Sequence, residues 1–346
     1  MNSRENYLRT VEFRCPEWIP SSVGLMPATW KKYREKLEDM VFQHPFIFSL
    51  YTKGTKNFDY LPVGYRKGEH YTDCWGCVWY NIQEGLEGRI VKHPLADWKA
   101  FANYKAPDPL KFSERLPRDD WKIVEARVKW MRQEGQLVVG GGDRFFERLH
   151  FLRGFRNLMI DFMTDPPELR KFIDIVIEHN LKLINKWLEI GVDVIGLGDD
   201  LGTQTSLMMS PMIFRKYLKP GYSLICGTAR KAGAHVHFHS DGHIVEIIDD
   251  LIECGVDIIN PQIRANTLDG IVKTCKGKLC VNLDLDRQLF PFATPKQIEE
   301  HIKEAVIKLG SKEGGFMLHA ECEPDVPLEN IEAICQALEK YRYYDS

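Results

Sequence analysis

The stretch Val192-Asp193-Val194-Ile195-Gly196-Leu197-Gly198-Asp199-Asp200 is an apolar run that stops abruptly at a glycine and two aspartates. The same change from apolar to polar residues recurs along the C-terminal two-thirds of the chain, at 137–143, 235–242, 256–262, 279–284 and 315–322. Short apolar runs bounded by glycine and polar residues are typical of buried strands. We therefore predict a strand in each of these runs, with polar residues directly after it.

Segments with apolar residues at helical spacing lie between the predicted strands. They cover 158–190, with a break at Pro166-Pro167, and then 210–232, 244–253, 268–273, 294–309 and 328–341. Strands that alternate with helices indicate a parallel sheet with right-handed crossovers. Because every strand, and not only one, is followed by polar residues, we predict an α/β fold of the (β/α)8 TIM-barrel type with its site at the C-terminal strand ends.

An open doubly wound sheet is the alternative architecture, and it would gather its ligands at one switch point. The chain has no GxGxxG motif that opens a helix. Gly140-Gly141-Gly142 is a glycine run without the rest of that fingerprint, so nucleotide binding is weakly indicated.

The first 130 residues have a different character, because they are rich in aromatic residues. We predict a helix over 28–42 and a hairpin from 74–79 and 88–91. We interpret 1–346 as a single barrel domain in which 1–130 forms an N-terminal lid and early barrel elements. Most of the aromatic residues are expected in the core, and a few are expected to line an apolar pocket for an aromatic substrate. Cys74 and Cys77 form one isolated CxxC, which is poor support for structural zinc.

Composition excludes several classes of protein. The 346 residues carry a net charge of −3, which gives no basic field for nucleic acid, and 44% of them are hydrophobic, enough for a sizeable core. Nine cysteines are scattered through the chain, several of them inside apolar runs, as expected for free thiols in a reducing compartment. The N-terminus has no apolar signal segment, and no apolar stretch is long enough to span a membrane. We expect a cytoplasmic location.

The run His235-Val236-His237-Phe238-His239-Ser240-Asp241-Gly242 carries the strongest chemical signal. Alternate residues of a strand share one face, so the three histidines and Asp241 are predicted to point the same way. With the distant Cys322, these groups could form a zinc site that keeps one position for substrate. The competing interpretation is a polar strand end with hydrogen-bonded histidines.

Several short motifs together point to one family. They are Asp73-x-Trp75-Gly76, Arg153-Gly154-Phe155 before Asp161, Gly198-Asp199-Asp200-Leu201-Gly202-Thr203-Gln204, His239-Ser240-Asp241-Gly242, Asn260-Pro261, Asn282-x-Asp284, Thr294-Pro295 and Cys322-Glu323-x-Asp325-Val326-Pro327-Leu328-Glu329-Asn330. With them the chain resembles the uroporphyrinogen decarboxylase superfamily and, within it, the cobalamin-dependent methyltransferase branch. The resemblance covers most of the chain, most clearly 137–340, and implies a (β/α)8 barrel.

The resemblance also implies a metal site, with one departure. The decarboxylases have an arginine-rich RQAGRY-like motif near the N-terminus, whereas no arginine lies between Pro16 and Trp30 here. The methyltransferase branch binds zinc through His-x-Cys and a late cysteine. His239 matches that histidine and Cys322 the late cysteine, but Asp241 stands in place of the other cysteine. Either the site is a mixed His/Asp/Cys site, or a neighbour supplies the third ligand; the candidates are His237, His319, Glu321 and Glu323.

A carboxylate in place of a thiolate gives a harder metal site, which suits an ether or phenol oxygen. The resemblance therefore leads to the hypothesis of a zinc-dependent methyltransferase that moves a methyl group from a methyl ether, on an aromatic ring, to the cobalt(I) corrinoid (cobalamin) of a separate carrier protein. No corrinoid-binding Asp-x-His-x-x-Gly motif is present, so the carrier is expected to be a partner. The alternatives are a methylcorrinoid:thiol methyltransferase of the coenzyme M type, an enzyme that demethylates another donor such as a methylamine, methanol or methyl halide, and a uroporphyrinogen decarboxylase or non-catalytic tetrapyrrole-binding barrel.

Other strand-end residues complete the predicted site. Asp199 and Asp200 are assigned as catalytic residues, either as a ligand or as a proton donor to the leaving oxygen, with a helix N-cap or loop hydrogen bond as the structural alternative. The expected substrate contacts are Asn260, Gln262, Asn282, Asp284 and Trp75, and Asp284 could equally support a ligand histidine. His243 is expected in the first turn of a helix, and His150 and His179 are expected at the surface or in the core.

Overall fold

The computed structural model describes residues 1–113 and 118–343. In these residues the strands, in chain order, are β1 Ser21–Leu25, β2 His70–Thr72, β3 Val78–Tyr80, β4 Arg89–Lys92, β5 Val139–Gly141, β6 Val194–Gly198, β7 His235–Ser240, β8 Ile258–Pro261, β9 Cys280–Asp284 and β10 Phe316–Cys322. The α-helices are α1 Ser3–Val11, α2 Pro27–Gln43, α3 Trp121–Gln133, α4 Phe146–Arg153, α5 Phe155–Thr164, α6 Pro167–Ile190, α7 Pro211–Ile213, α8 Lys219–Lys231, α9 Ile248–Cys254, α10 Ile263–Asn266, α11 Leu268–Cys275, α12 Pro295–Leu309 and α13 Leu328–Lys340. Short 3-10 helices lie at Val63–Tyr65, Trp98–Asn103 and Val245–Ile247, and a π turn at Phe214–Leu218 joins α7 to α8.

Seven parallel strands form the main sheet, in the order β1-β10-β9-β8-β7-β6-β5. From β5 to β10 each new strand is added on the same side of the previous one, and the last of them pairs with β1. A doubly wound sheet would reverse direction at a switch point, and this order does not. The fold is therefore a TIM-barrel-like α/β fold, as predicted, with seven hydrogen-bonded strands in the described residues where eight were expected.

The strand that the sequence did not reveal is β1. Its residues, SSVGL, contain two serines and a glycine, so they lack the apolar run that marks the other barrel strands. β1 is fixed instead by parallel pairing with β10 along its whole length, from Ser21 opposite Leu318 to Leu25 opposite Cys322. Its position is thus decided by a partner about three hundred residues away in the chain, and local pattern carries little of that information.

A separate antiparallel sheet, β2-β3-β4, is formed by the aromatic-rich part of the chain. The predicted hairpin is confirmed by the pairing of β3 with β4, although Cys74 and Cys77 lie outside its strands. Trp79 on β3 is buried, and its indole donates to the carboxylate of Asp73 at 2.8 Å. This anchor fixes one face of the small sheet against α4, where Phe151 packs edge-on against Trp79.

The core lies between the parallel sheet and the surrounding helices. β8 is buried at every position, and α6 buries a stripe that includes Phe172, Val176 and Leu183. At the N-terminal end of the barrel, Val11 of α1 packs with interior residues of the strands such as Val194 and Met317, which closes that end. The polar ends of the strands are consequently the open end of the barrel. Among the described residues, no helix has both the length and the apolar character that a bilayer crossing requires.

Candidate metal and substrate site

A cavity of about 660 Å³ lies at the C-terminal ends of the strands, beneath the small antiparallel sheet. One wall is polar and is formed at strand ends and on α4, by Glu147, Asp200, His239, Asp241, Arg287 and Glu321. The rest of the lining comes from β3, the β4 region and α4–α5, where Trp79, Ile90, His93, His150, Phe151 and Phe155 lie among the charged residues Glu87, Arg89 and Arg144. The barrel thus brings charged groups and aromatic rings to one space suited to a small molecule.

Three residues of the polar wall form a group that could hold a metal ion. One ligand atom from each of Asp200, His239 and Asp241 lies within 4.8 Å of the others, and all three side chains are half-buried. They come from the ends of the adjacent strands β6 and β7, whose residues Gly198 and His239 are paired in register. One imidazole and two carboxylates make a nitrogen and oxygen donor set, and three protein ligands leave a position for a substrate atom.

A hydrogen bond from the neighbouring strand orients the imidazole of His239. Asn260 on β8 donates its amide nitrogen to the carbonyl oxygen of Asn282, so its own side-chain oxygen is left to accept from His239 Nδ1 at 2.7 Å. With Nδ1 as the donor, Nε2 is the atom that faces the carboxylates, and it lies 3.1 Å from Asp241 Oδ1. Metal-ligating histidines are commonly held in this way by an acceptor on the other ring nitrogen. Asn260, predicted to contact substrate, therefore lies behind His239, a candidate ligand.

The two carboxylates are held together by the crossing of two loops. The backbone nitrogen of Asp241 donates to Asp200 Oδ1 at 3.0 Å, and that of Leu201 donates to the hydroxyl of Ser240 at 3.0 Å. A side chain at Gly242, which has a φ of +79°, would place its Cβ 2.1 Å from the carbonyl oxygen of Gly202. Only glycines allow this approach. The two glycine-containing motifs of the sequence are thus the means by which Asp200 reaches Asp241.

Arg287, which follows β9, is a candidate site residue that no sequence pattern indicated. Its Nη1 donates to Glu321 Oε1 at 2.6 Å and its Nη2 donates to Asp241 Oδ2 at 2.5 Å. Glu321, a candidate third ligand in the sequence, is therefore paired with a guanidinium in this structure. No motif marks Arg287, because it becomes part of the site only when the ends of β7, β9 and β10 are brought side by side.

The described residues fit a metal ion at this group. Among them, no donor has hydrogen-bond geometry to the buried Oδ1 of Asp241 or the buried Oδ1 of Asp284, although His239 Nε2 is close to the first. A buried carboxylate oxygen without a hydrogen bond is costly; at Asp241 the charged imidazole of His239 offsets that cost, and a metal ion in the place of its proton would do the same. Burial opposes protonation of His239, but the Asp241 carboxylate raises the pKa of this imidazole to about 9. A metal ion would therefore displace a proton from Nε2.

Cys322 is not brought into this group. Side chains alternate along β10, so His319 and Glu321 face the interior whereas Cys322 is fully buried among the helices. Burial raises the pKa of its thiol, which lies near the thiol of Cys335 on α13. The expected ligand role of Cys322 therefore does not agree with the structure, because strand alternation directs the sulfur away from the side on which His239 lies.

The other histidines of β7 lie deeper in the barrel. His237 accepts from the amide of Asn282 at 3.1 Å, and burial lowers its pKa to about 4, so it is neutral. It faces the same side as His239, as predicted, but it is not a member of the Asp200 group. His235 pairs with Glu12 at the closed end of the barrel. Asn282 and His237 thus form a half-buried hydrogen-bonded pair.

Asp199 has a structural position instead of the catalytic one that the sequence suggested. Its carboxylate accepts from the backbone nitrogens of Phe145, Phe146 and Glu147 and from the hydroxyl of Tyr222, at distances between 2.5 and 2.7 Å. The side chain is 2% exposed. Asp199, directly after β6, therefore caps the N-terminus of α4, which is the helix-cap alternative to a catalytic role.

The remaining predicted contacts are distributed around the site. Gln262 accepts from the backbone of Gly242 at 2.8 Å and so supports the loop of Asp241. Asp284 is buried beside His239 and Arg287, and burial raises its pKa to about 7. Trp75 is buried and lines a neighbouring cavity of about 320 Å³, with His179, in place of the main one. His150, expected at the surface or in the core, lines the main cavity.

Glu147 on α4 is the second candidate site residue that no sequence pattern indicated. It lines the cavity, its Oε2 accepts from the backbone nitrogen of Asp200 at 3.3 Å, and its Oε1 pairs with Arg144 at 3.1 Å. Burial raises the pKa of Glu147 to about 8 against the opposing charge of Arg144, and the charges of Asp199 and Asp200 add to the increase. The site thus favours the protonated form of this carboxyl group next to Asp200.

Comparison with known proteins agrees with this architecture. The profile described as uroporphyrinogen decarboxylase (URO-D) matches residues 82–341, and the chain belongs to this family. A solved structure titled as a methyltransferase from Methanosarcina mazei superposes with a TM-score of 0.66 at 18% identity and covers 99% of both chains. A B12-independent methionine synthase from a Shewanella species, with a TM-score of 0.39, 10% identity and coverage of 65% and 66%, is too distant for any inference. No curated protein matches the sequence.

Proposed function

We propose that this chain is a methyltransferase that removes the methyl group of a methoxylated aromatic compound and transfers it to the cobalt(I) corrinoid of a separate carrier protein. The observation that carries the proposal is that one cavity is lined both by a group that could bind a metal ion, with a neighbouring acid, and by aromatic side chains. Membership of the URO-D family and the likeness over the whole chain to a protein titled as a methyltransferase support the same chemistry.

Asp200, His239 and Asp241 would hold a zinc ion, through one nitrogen and two oxygen donors. Zinc, when bound, would supply Lewis-acid stabilisation of the substrate oxygen as the methyl group leaves. The absence of a sulfur donor from this group distinguishes it from a thiolate-rich site. Oxygen donors give less electron density to zinc than thiolates do, so the ion keeps more of its positive charge. The donor set therefore favours an oxygen leaving group over activation of a thiol.

Glu147 would supply the proton that the leaving oxygen requires. Departure of a methyl group from an aryl ether leaves the bonding electron pair on oxygen, and a proton must compensate for that charge. Glu147 lies beside Asp200 on the cavity wall and keeps its proton up to about pH 8, because burial raises its pKa. A positioned acid of this kind typically accelerates a reaction by about 10²- to 10⁴-fold.

The aromatic side chains of the cavity would bind the ring of the substrate and exclude water. Trp79 is held rigidly by Asp73, and Phe151 meets it edge-on with ring centroids 5.2 Å apart. Phe155 extends the same surface of the cavity. Flat aromatic surfaces bind an aryl ring by stacking and edge contacts.

The test is an anaerobic assay in which the zinc-loaded chain receives a reduced corrinoid protein and a panel of methoxylated benzoates and phenols. We expect the absorbance of the methylated corrinoid to appear together with a free phenol. His239→Gln should abolish the reaction. His235→Gln is the matched control, because it changes the same residue type on the same face of β7 at the closed end of the barrel.

Two results would contradict the proposal. One is the absence of demethylation throughout the panel with a chain that contains zinc. The other is methylation of a small thiol by free methylcobalamin, which would establish the methylcorrinoid:thiol alternative.

A further inference from the structure

The guanidinium of Arg287 is hydrogen-bonded to carboxylates that could otherwise bind a metal ion. It bridges Asp241 and Glu321, with donor to acceptor distances of 2.5 and 2.6 Å, and its side chain is about three-quarters buried. Asp284 is the third carboxylate whose charge acts on it. A permanently charged group on the wall of the cavity therefore occupies oxygen atoms of two carboxylates, one of which belongs to the ligand group.

Arg287 opposes the binding of a metal ion in three ways. Asp241 Oδ2 is taken by the guanidinium, so that only Oδ1 is left to face His239. Glu321 is drawn to Arg287, whereas its position on the interior face of β10 would otherwise let it turn towards the ion. The positive charge of Arg287 also repels a divalent cation at short range.

We infer that Arg287 is a resident cation that competes with the metal ion for Asp241 and Glu321, and so limits both the affinity of the site and the number of its ligands. The site then holds the ion through Asp200, His239 and one oxygen of Asp241, and a coordination position stays open. The assignment of the open position to the substrate oxygen rests on the proposed function. The competition between Arg287 and the metal ion does not depend on that function.

The experiment is calorimetric titration of Zn²⁺ into chelator-treated protein. Arg287→Met keeps much of the apolar stem of the side chain and removes the charge, and we expect Zn²⁺ to bind at least about tenfold more tightly, in the range by which groups around metal sites alter affinity. Arg287→Lys keeps the charge and should bind Zn²⁺ like the native chain. The double variant Arg287→Met with Glu321→Gln should lose the part of the gain that Glu321 supplies and keep the part that comes from Asp241 Oδ2 and from removal of the positive charge.

Arg264→Met is the matched control. Arg264 lies on α10 at the same rim, next to Arg287 in a surface pocket, and pairs with Asp286 at 2.9 Å, away from Asp241 and Glu321. Arg264→Met alters the net charge by the same amount as Arg287→Met. If the tighter binding of Arg287→Met depends on direct competition, the affinity of Arg264→Met for Zn²⁺ should stay within about twofold of the native value.

Three outcomes would overturn the inference: Arg287→Met binds Zn²⁺ no more tightly than the native chain, Arg264→Met produces an equal gain, or neither the native chain nor Arg287→Met binds Zn²⁺. Circular dichroism of Arg287→Met and Arg287→Lys identifies a folding defect, and the Arg287→Lys titration then decides between competition and a supporting role. Because no methyl transfer is measured, a chain that shows the competition but demethylates nothing would refute the proposed function alone.

Discussion

Replacement of Asp199 by asparagine separates a structural role from a catalytic one. The carboxylate accepts four hydrogen bonds: Oδ2 accepts from Phe145, Phe146 and Tyr222, and Oδ1 accepts from the backbone nitrogen of Glu147. An amide has one oxygen, so its nitrogen must face one of these donors. The buried N–H of Glu147 then loses its partner, which costs about 1–3 kcal/mol.

The three remaining hydrogen bonds become weaker as well, because a neutral acceptor replaces a carboxylate, and charge-assisted bonds are roughly twice as strong as neutral ones. A further loss of about 1 kcal/mol is reasonable for a helix cap. We therefore expect Asp199→Asn to lower the free energy of unfolding by about 2–4 kcal/mol, a large part of the roughly 5–15 kcal/mol of an ordinary domain.

Urea unfolding followed by circular dichroism measures this difference. Asp200→Asn is the informative comparison, since Asp200 is half-buried and its side chain accepts from the backbone of Asp241. It should lose metal affinity and change the free energy of unfolding by less than about 1 kcal/mol. If Asp199→Asn were as stable as the native chain and yet inactive, the capping role would be refuted and a direct catalytic role restored.

Three further predictions concern the chemistry of the site. Glu147→Gln should lower the rate of methyl transfer by about 10²-fold. The native chain is expected to lose rate as pH rises through about 8, where the acid form of Glu147 disappears, and the variant should not show this loss. A pH–rate profile tests this, and an unchanged profile contradicts it. Asn260→Ala should weaken Zn²⁺ binding by about 10- to 100-fold, because the hydrogen bond that aims Nε2 of His239 is lost; calorimetry measures it, and native affinity would show that Asn260 does not position the imidazole. Zn²⁺ affinity should increase from pH 6 towards pH 9, because a proton with a pKa of about 9 must leave His239 first, and a flat dependence of the binding constant on pH would exclude His239 as a ligand.

The sequence predicted the fold because barrel strands and helices carry local patterns. The apolar runs that end at Asp199 and Asp241 became β6 and β7 with their polar residues at the open end, and Pro166-Pro167 separates α5 from α6 as predicted. The same alternation placed His239, Asp241 and Asp200 at neighbouring strand ends, and in the structure these three side chains lie close enough together that they could hold a metal ion. These features depend on residues close together in the chain, which a single sequence displays.

Tertiary structure alone decided what surrounds that group. Whether Cys322 or Glu321 faces the cavity depends on the register of β10, and a shift of one residue reverses the face of every side chain on a strand. Asp199 became a helix cap because α4 starts against the end of β6, and Arg287 and Glu147 joined the site from elements that no motif connects with β7. Contacts between distant parts of a chain depend on how its elements pack, and this packing leaves no periodic pattern in the sequence.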